Sequence, residues 1–203
     1  NASNSNVEMS SPVGSVDFDL PVPGEHNVRN ALAAATAALA LNVPLHKIAE
    51  GLAHFAGVKG RLQSKTGFAG AKVIDDTYNA NPLSMKAAID VLAANQGTRI
   101  FVMGDMAELG NDAAKMHAEI GVYAKTANIE AFYALGKLTP EATEAFGASG
   151  KNFQSIEALV DALKKEMNSN VTVLVKGSRS ARMERVVDLI QLAPAIENKG
   201  EKH

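Results

Sequence analysis

Beyond residue 70 the chain alternates short apolar runs with stretches whose apolar residues recur every three or four positions. The runs are 71–75 ("AKVID"), 99–103 ("RIFVM"), 131–135 ("AFYAL") and 171–175 ("VTVLV"). Each has the length of a strand, and the near-continuous apolar character is that of a strand covered on both faces. Helices are predicted over 84–95, 112–127, 139–146, 155–167 and 181–192. In the first of these Met85, Ala88, Ile89 and Leu92 share a face; in the fourth Ile156, Leu159, Val160 and Leu163 do. Neighbouring parallel strands need a crossover, usually helical. The alternation therefore predicts an α/β fold, a Rossmann-like, mostly parallel sheet with helices on both faces.

The first 60 residues follow another rhythm. Residues 16–23, "VDFDLPVP", alternate apolar and polar and end in prolines, as a short edge strand does. The Ala- and Leu-rich stretch 27–41 predicts a helix with Asn27 as its cap. Pro44 opens a second, shorter helix that fades at Gly57, and "GVKGR" reads as a linker. These signals divide the chain into a flexible lead-in (1–15), a small, mainly helical unit (16–59), a larger α/β domain (60–193) and a flexible tail (194–203).

Composition narrows the class. In 203 residues there are 20 basic and 22 acidic side chains, a net charge of −2, and no basic stripe of the kind that nucleic acid demands. There is no cysteine, hence no disulfide and no thiolate chemistry. No apolar run reaches the roughly 18 residues of a membrane span. The polar start lacks a signal-peptide core. A cytoplasmic protein is the expectation. The histidines lack metal-ligand spacing, and neither GxGxxG nor GxxxxGK[ST] occurs.

In an open parallel sheet, ligands sit outside the carboxyl ends of the strands. Four loops follow those ends here. They carry Asp75, Asp76, Thr77, Tyr78 and Asn79; Gly104, Asp105 and Glu108; Gly136 and Lys137; and Lys176, Gly177, Ser178 and Arg179. Any one of them is an ordinary turn or cap, such as Ser84 capping a helix. Together they point to a ligand edge, which both an enzyme and a non-catalytic binding module would have.

Five motifs go further: "PGEHNVRNALAA" (23–34), "GRL" (60–62), "IDDTYNANPLSM" (74–85), "GDMAELG" (104–110) and "KGSRSARME" (176–184). In this order, from about Val16 to Leu192, they resemble the Mur ligases of peptidoglycan synthesis, and within that family the type that adds D-alanyl-D-alanine. The resemblance implies an ATP-dependent acid–amino-acid ligase of cell-wall synthesis. Its substrates would be ATP, UDP-N-acetylmuramoyl-tripeptide and D-Ala-D-Ala, joined through an acyl phosphate with Mg2+. Residues 16–59 would then end a central ATP-binding domain, and 60–193 would be the C-terminal ligase domain. The chain is expected to be a carboxy-terminal fragment, inactive alone, whose phosphate loop and magnesium ligands lie upstream.

The resemblance also assigns residues. Asn27 and Asn30 contact adenine. Arg61 reaches ATP phosphate and is the catalytic candidate. Asp76 takes the ribose. Tyr78, Asn79 and Asn81 line the junction with the acceptor, which Lys137, Lys176, Ser178 and Arg179 hold. The protein would be a monomer, with no nucleic-acid partner and no membrane insertion. A Mur-type ligase for another amino substrate, or a non-catalytic α/β small-ligand-binding module, remains the alternative.

Overall fold

The direction in which the chain steps across its main sheet decides where every helix lies. A computed structural model describes residues 4–22, 24–55 and 57–192. The small unit holds β1 (Ser5–Ser11), β2 (Gly14–Leu20), α1 (Glu25–Ala40) and α2 (Leu45–Ala53). The larger domain holds β3 (Gln63–Thr66), β4 (Lys72–Asp76), α3 (Pro82–Ala93), β5 (Thr98–Gly104), α4 (Ala113–Thr126), β6 (Ala131–Leu135), α5 (Thr139–Phe146), β7 (Gly150–Phe153), α6 (Ile156–Glu166), β8 (Val171–Lys176) and α7 (Glu184–Ile190). Its six strands run in the order β3-β4-β8-β5-β6-β7. All neighbours are parallel except β3, which pairs antiparallel with β4.

From β4 through β7 the chain moves one way across the sheet. Right-handed crossovers then put α3, α4 and α5 on one face. Their residues Met85, Ile89, Ile120 and Phe146 pack with Ile74, Phe101 and Phe132. The return from β7 to β8 reverses direction, so α6 and α7 cover the other face. There Leu159, Leu163, Val187 and Ile190 pack on Val73, Val102 and Val173. The predicted α/β class holds, with one antiparallel edge strand added.

Several expectations need correction. The lead-in contains β1, which pairs with β2 in the register Val7↔Phe18 and Met9↔Val16. Only Val7 and Met9 are apolar in β1, too few to announce a strand. The small unit thus carries a hairpin as well as helices. Asn27 does not cap α1: Gly24 stands at the cap, and Asn27 lies in the first turn with its N–H on the Gly24 carbonyl at 3.0 Å. Ser84 is not a cap either. Asn81 caps α3, accepting from Ser84 N at 2.8 Å, while Ser84 Oγ accepts from Asn81 N at 3.0 Å. The last helix starts late, at Glu184, after a short 3-10 turn and a left-handed Arg182. The predicted tail 194–203 lies outside the described residues.

At the opposite, amino edge of the sheet, Arg99 bonds Glu130 through three nitrogens at 2.5–3.0 Å and also donates to the Ala93 and Asn128 carbonyls. Hydrogen bonding from Arg99 holds the Glu130 carboxyl below its ordinary value. Its contribution to stability is therefore full above the unfolded carboxyl pKa of about 4.3 and is lost as pH falls through the lower folded value. Glu130→Gln is expected to lower stability at pH 7 and to reduce the acid dependence. Urea unfolding at pH 7 and pH 3 checks this: equal losses at both would refute it.

Candidate functional site

The two aspartates at the end of β4 do different jobs. Asp75 is bound into the scaffold. Its Oδ2 accepts from Lys65 Nζ at 2.8 Å and its Oδ1 from Thr77 Oγ1 at 2.7 Å. Asp76 turns to the carboxyl edge. Its Oδ2 accepts from Lys176 Nζ, at the end of β8, at 2.6 Å, and its Oδ1 from Leu62 N at 3.2 Å. Lys176 is buried and also donates to the Asn79 carbonyl at 2.9 Å. The ammonium placed among acceptor ligands is thus engaged in an ion pair at the floor of the site.

The segment before β3 bends sharply to meet Asp76. Gly60 and Leu62 both have positive φ, 72° and 48°. A Cβ on Gly60 would lie 3.0 Å from Tyr78 N, while Tyr78 N–H donates to the Gly60 carbonyl at 3.0 Å. For leucine a positive φ is unfavourable. Here it turns the Leu62 N–H inward to Asp76 and leaves Arg61 outside. The Arg61 guanidinium lies 4.5 Å from the centre of the Tyr78 ring, a cation–π contact that orients it.

Three clefts run side by side along this edge. The first, of about 500 Å3, is an apolar slot between the small unit and the junction, walled by Leu20, Val22, Phe55 and Val58 with Asn27, Asn30, Arg61 and Tyr78. The second, of about 340 Å3, shares those last four residues and adds Asp76, Lys176, Asn79 and Asn81. The third, of about 1080 Å3, shares Asn79–Asn81 and adds Glu108, Leu109, Ser178, Arg179 and Glu184.

Every residue that the resemblance assigned lines one of the three except Lys137, which is exposed and lines none of them; of the other loop residues named from the sequence, Asp75, Thr77, Asp105 and the three glycines line none either. Ser178 is buried, with Oγ 3.1 Å from Ser180 Oγ. Arg179 is largely exposed, with Nη1 3.5 Å from Glu184 Oε1. Asn81 contributes its side chain to the α3 cap and borders two clefts. The walls of the apolar slot went unread in the sequence. They come from β2, the segment after it, and the linker after α2, with no common motif.

The family described as "Mur ligase, glutamate ligase domain" matches residues 60–179. The chain belongs to the Mur ligase family. It is 43% identical over 185 residues to the UDP-N-acetylmuramoyl-tripeptide–D-alanyl-D-alanine ligase of Escherichia coli, covering 90% of this chain and 41% of that enzyme. The Bacillus subtilis enzyme of the same name is 33% identical, over 86% of this chain and 40% of its own length. The crystal structure of MurF from Acinetobacter baumannii superposes with a TM-score of 0.83 at 38% identity, over 93% of this chain and 42% of that one. MurF from Thermotoga maritima, solved with ADP, gives a TM-score of 0.79 at 25% identity, over 92% and 43%. This Mur ligase chain spans about two-fifths of the length of the relatives it matches. Its fold is that of the corresponding part of the MurF structures.

Proposed function

We propose that the chain is the carboxy-terminal part of the ligase that joins D-alanyl-D-alanine to UDP-N-acetylmuramoyl-tripeptide at the expense of ATP. Residues up to about Lys59 would end the nucleotide-binding domain, and 60–192 form the domain that brings the amino acceptor. The carrying observation is the line of three clefts that share walls. An apolar slot with two amides suits a purine: its faces meet Leu20, Val22 and Phe55, and the amides of Asn27 and Asn30 can donate to and accept from its edge. The next cleft holds a carboxylate, Asp76, for ribose hydroxyls and a guanidinium, Arg61, whose fork matches phosphate. The third is large and polar, with Arg179 for an acceptor's carboxylate. Base, sugar with phosphate, and acceptor thus fall in order, and Asn79–Asn81 stand where donor and acceptor meet.

ATP supplies the phosphoryl group that activates the tripeptide carboxylate as an acyl phosphate. The chain's own residues then do three things. Asn27, Asn30 and Asp76 hold the nucleoside. Arg61 takes phosphate charge. The third cleft holds the amine of D-Ala-D-Ala, which must be neutral to attack. Positioning supplies much of the rate in such a transfer. Among the described residues no helix is long and apolar enough to cross a membrane; the reading is of a cytoplasmic, monomeric enzyme.

The reading is tested in the full-length enzyme containing this chain. ADP release is expected only with ATP, UDP-N-acetylmuramoyl-tripeptide and D-Ala-D-Ala all present. Preference for another amino substrate would overturn the acceptor assignment. The 203-residue chain alone, which has no phosphate-loop motif, is expected to release no phosphate from ATP. Turnover by it would mean that the phosphate machinery lies within these residues.

A further inference from the structure

Asp105, at the end of β5, holds three loops at once. Its Oδ2 accepts from Lys137 N–H at 2.9 Å and its Oδ1 from Leu138 N–H at 3.0 Å. Its carbonyl oxygen accepts from Ser178 N–H at 2.9 Å. Leu138 stands at the amino end of α5, which has no side-chain cap from its own cap residue. The carboxylate that the positive end of a helix favours therefore arrives from another strand. It can do so only against a bare backbone, since a Cβ on Gly136 would lie 2.2 Å from Asp105 Oδ1. The next residue is fixed as well. Met106 N–H donates to Nε2 of the buried His117 at 3.0 Å, and His117 Nδ1 donates to the Ala113 carbonyl at 2.7 Å.

Asp105 and the Lys137–Leu138 turn that its carboxylate binds line none of the three clefts, but the loop that continues from Asp105 and the loop bonded to its carbonyl do. Residues 107–109 form one wall of the largest cleft, and 178–180 form another. The geometry points to Asp105 as a positioning residue for the amino acceptor, which sets the separation of those two walls. This rests on the acceptor reading of that cleft given above. None of the residues in the hub lines the apolar slot or the cleft that holds Arg61 and Asp76.

Two variants break the hub from opposite sides. Asp105→Asn keeps the shape but replaces one acceptor oxygen with an NH2 that faces an N–H. Gly136→Ala places a methyl group where the carboxylate sits. In the full-length enzyme each is expected to raise the KM for D-Ala-D-Ala at least tenfold and to leave kcat and the KM for ATP within about twofold, since a small misplacement of a bound reactant is costly while remote sites are spared. In the 203-residue chain, amide hydrogen exchange is expected to speed up at Lys137, Leu138 and Ser178 but not at Phe101 or Val173 in the sheet. An unchanged acceptor KM in both variants overturns the assignment. So does an equal loss for ATP, or lost protection across the whole sheet, since either marks a general stabilising role. A wild-type enzyme that ligates no D-Ala-D-Ala removes the acceptor reading and this assignment with it; ligation by wild type with both variants unaffected removes this assignment alone.

Discussion

Lys176→Met is expected to destabilise the chain by about 3–5 kcal/mol, the range found when one partner of a buried ion pair is removed. The two side chains are 4% and 12% exposed, and their atoms meet at 2.6 Å. Methionine fills the volume but leaves the Asp76 carboxylate buried beside Leu62 N without its cation. It also removes the donor to the Asn79 carbonyl, which ties the loop after β4 to the end of β8. The double variant Lys176→Met/Asp76→Asn removes the buried charge that Lys176 offset and should recover a substantial part of the loss. Urea unfolding of wild type and both variants measures this. A loss under about 1 kcal/mol would put the pair in the class of exposed salt bridges. The result bears on the proposed function because Asp76 borders the second cleft and Lys176 fixes the orientation of its carboxylate there.

Arg61→Ala is expected to lower the full-length enzyme's kcat/KM for ATP by about 10- to 150-fold. A charge-assisted hydrogen bond contributes roughly 1.5–3 kcal/mol, and each 1.4 kcal/mol is a decade. The guanidinium is exposed and held over the Tyr78 ring, and among the described residues no carboxylate pairs with it. It is thus free to meet phosphate without first breaking an ion pair. Arg61→Lys should recover only part of the loss, because an ammonium lacks the two-pronged geometry and stacks less well on an aromatic ring. Steady-state kinetics with ATP varied decides it. Wild-type values for Arg61→Ala would remove Arg61 from the phosphate site.

Most of the order of strands and helices from 71 to 176 was legible in the sequence because those elements carry their own period; the exception is β7, whose "GKNF" has one apolar side chain and becomes a strand only alongside β6. Strands such as 131–135 are apolar throughout, since the sheet is covered on both faces, and α3 and α6 repeat their apolar residues at helical spacing. The rule that ligands gather at carboxyl ends then pointed to four loops, three of which, after β4, β5 and β8, border the clefts. What stayed hidden was whatever depends on a partner distant in sequence. β1 has two apolar residues and becomes a strand only because β2 offers its edge. β3 has the pattern "QSKT" and pairs only because β4 exposes an unfilled side. Asn27 has the chemistry of a cap, but the bend at Gly24 moved the start of α1 upstream.

The same division runs through the site. Residue types and motif order by themselves determined the family, the α/β class and many of the polar residues that border the clefts, because those follow from local chemistry and from the direction of parallel strands. Only the tertiary structure decided what each polar group is bound to. Asp75 and Asp76 are adjacent and chemically identical, yet the pleat sends one to Lys65 and the other to Lys176, a residue 100 positions away. Lys176 looked like a free cation for a substrate and became the counter-ion of Asp76, because burial at the end of β8 requires a partner. Asp105 looked like one more turn residue and became the tie between three loops, because strand order brings the ends of β5, β6 and β8 side by side.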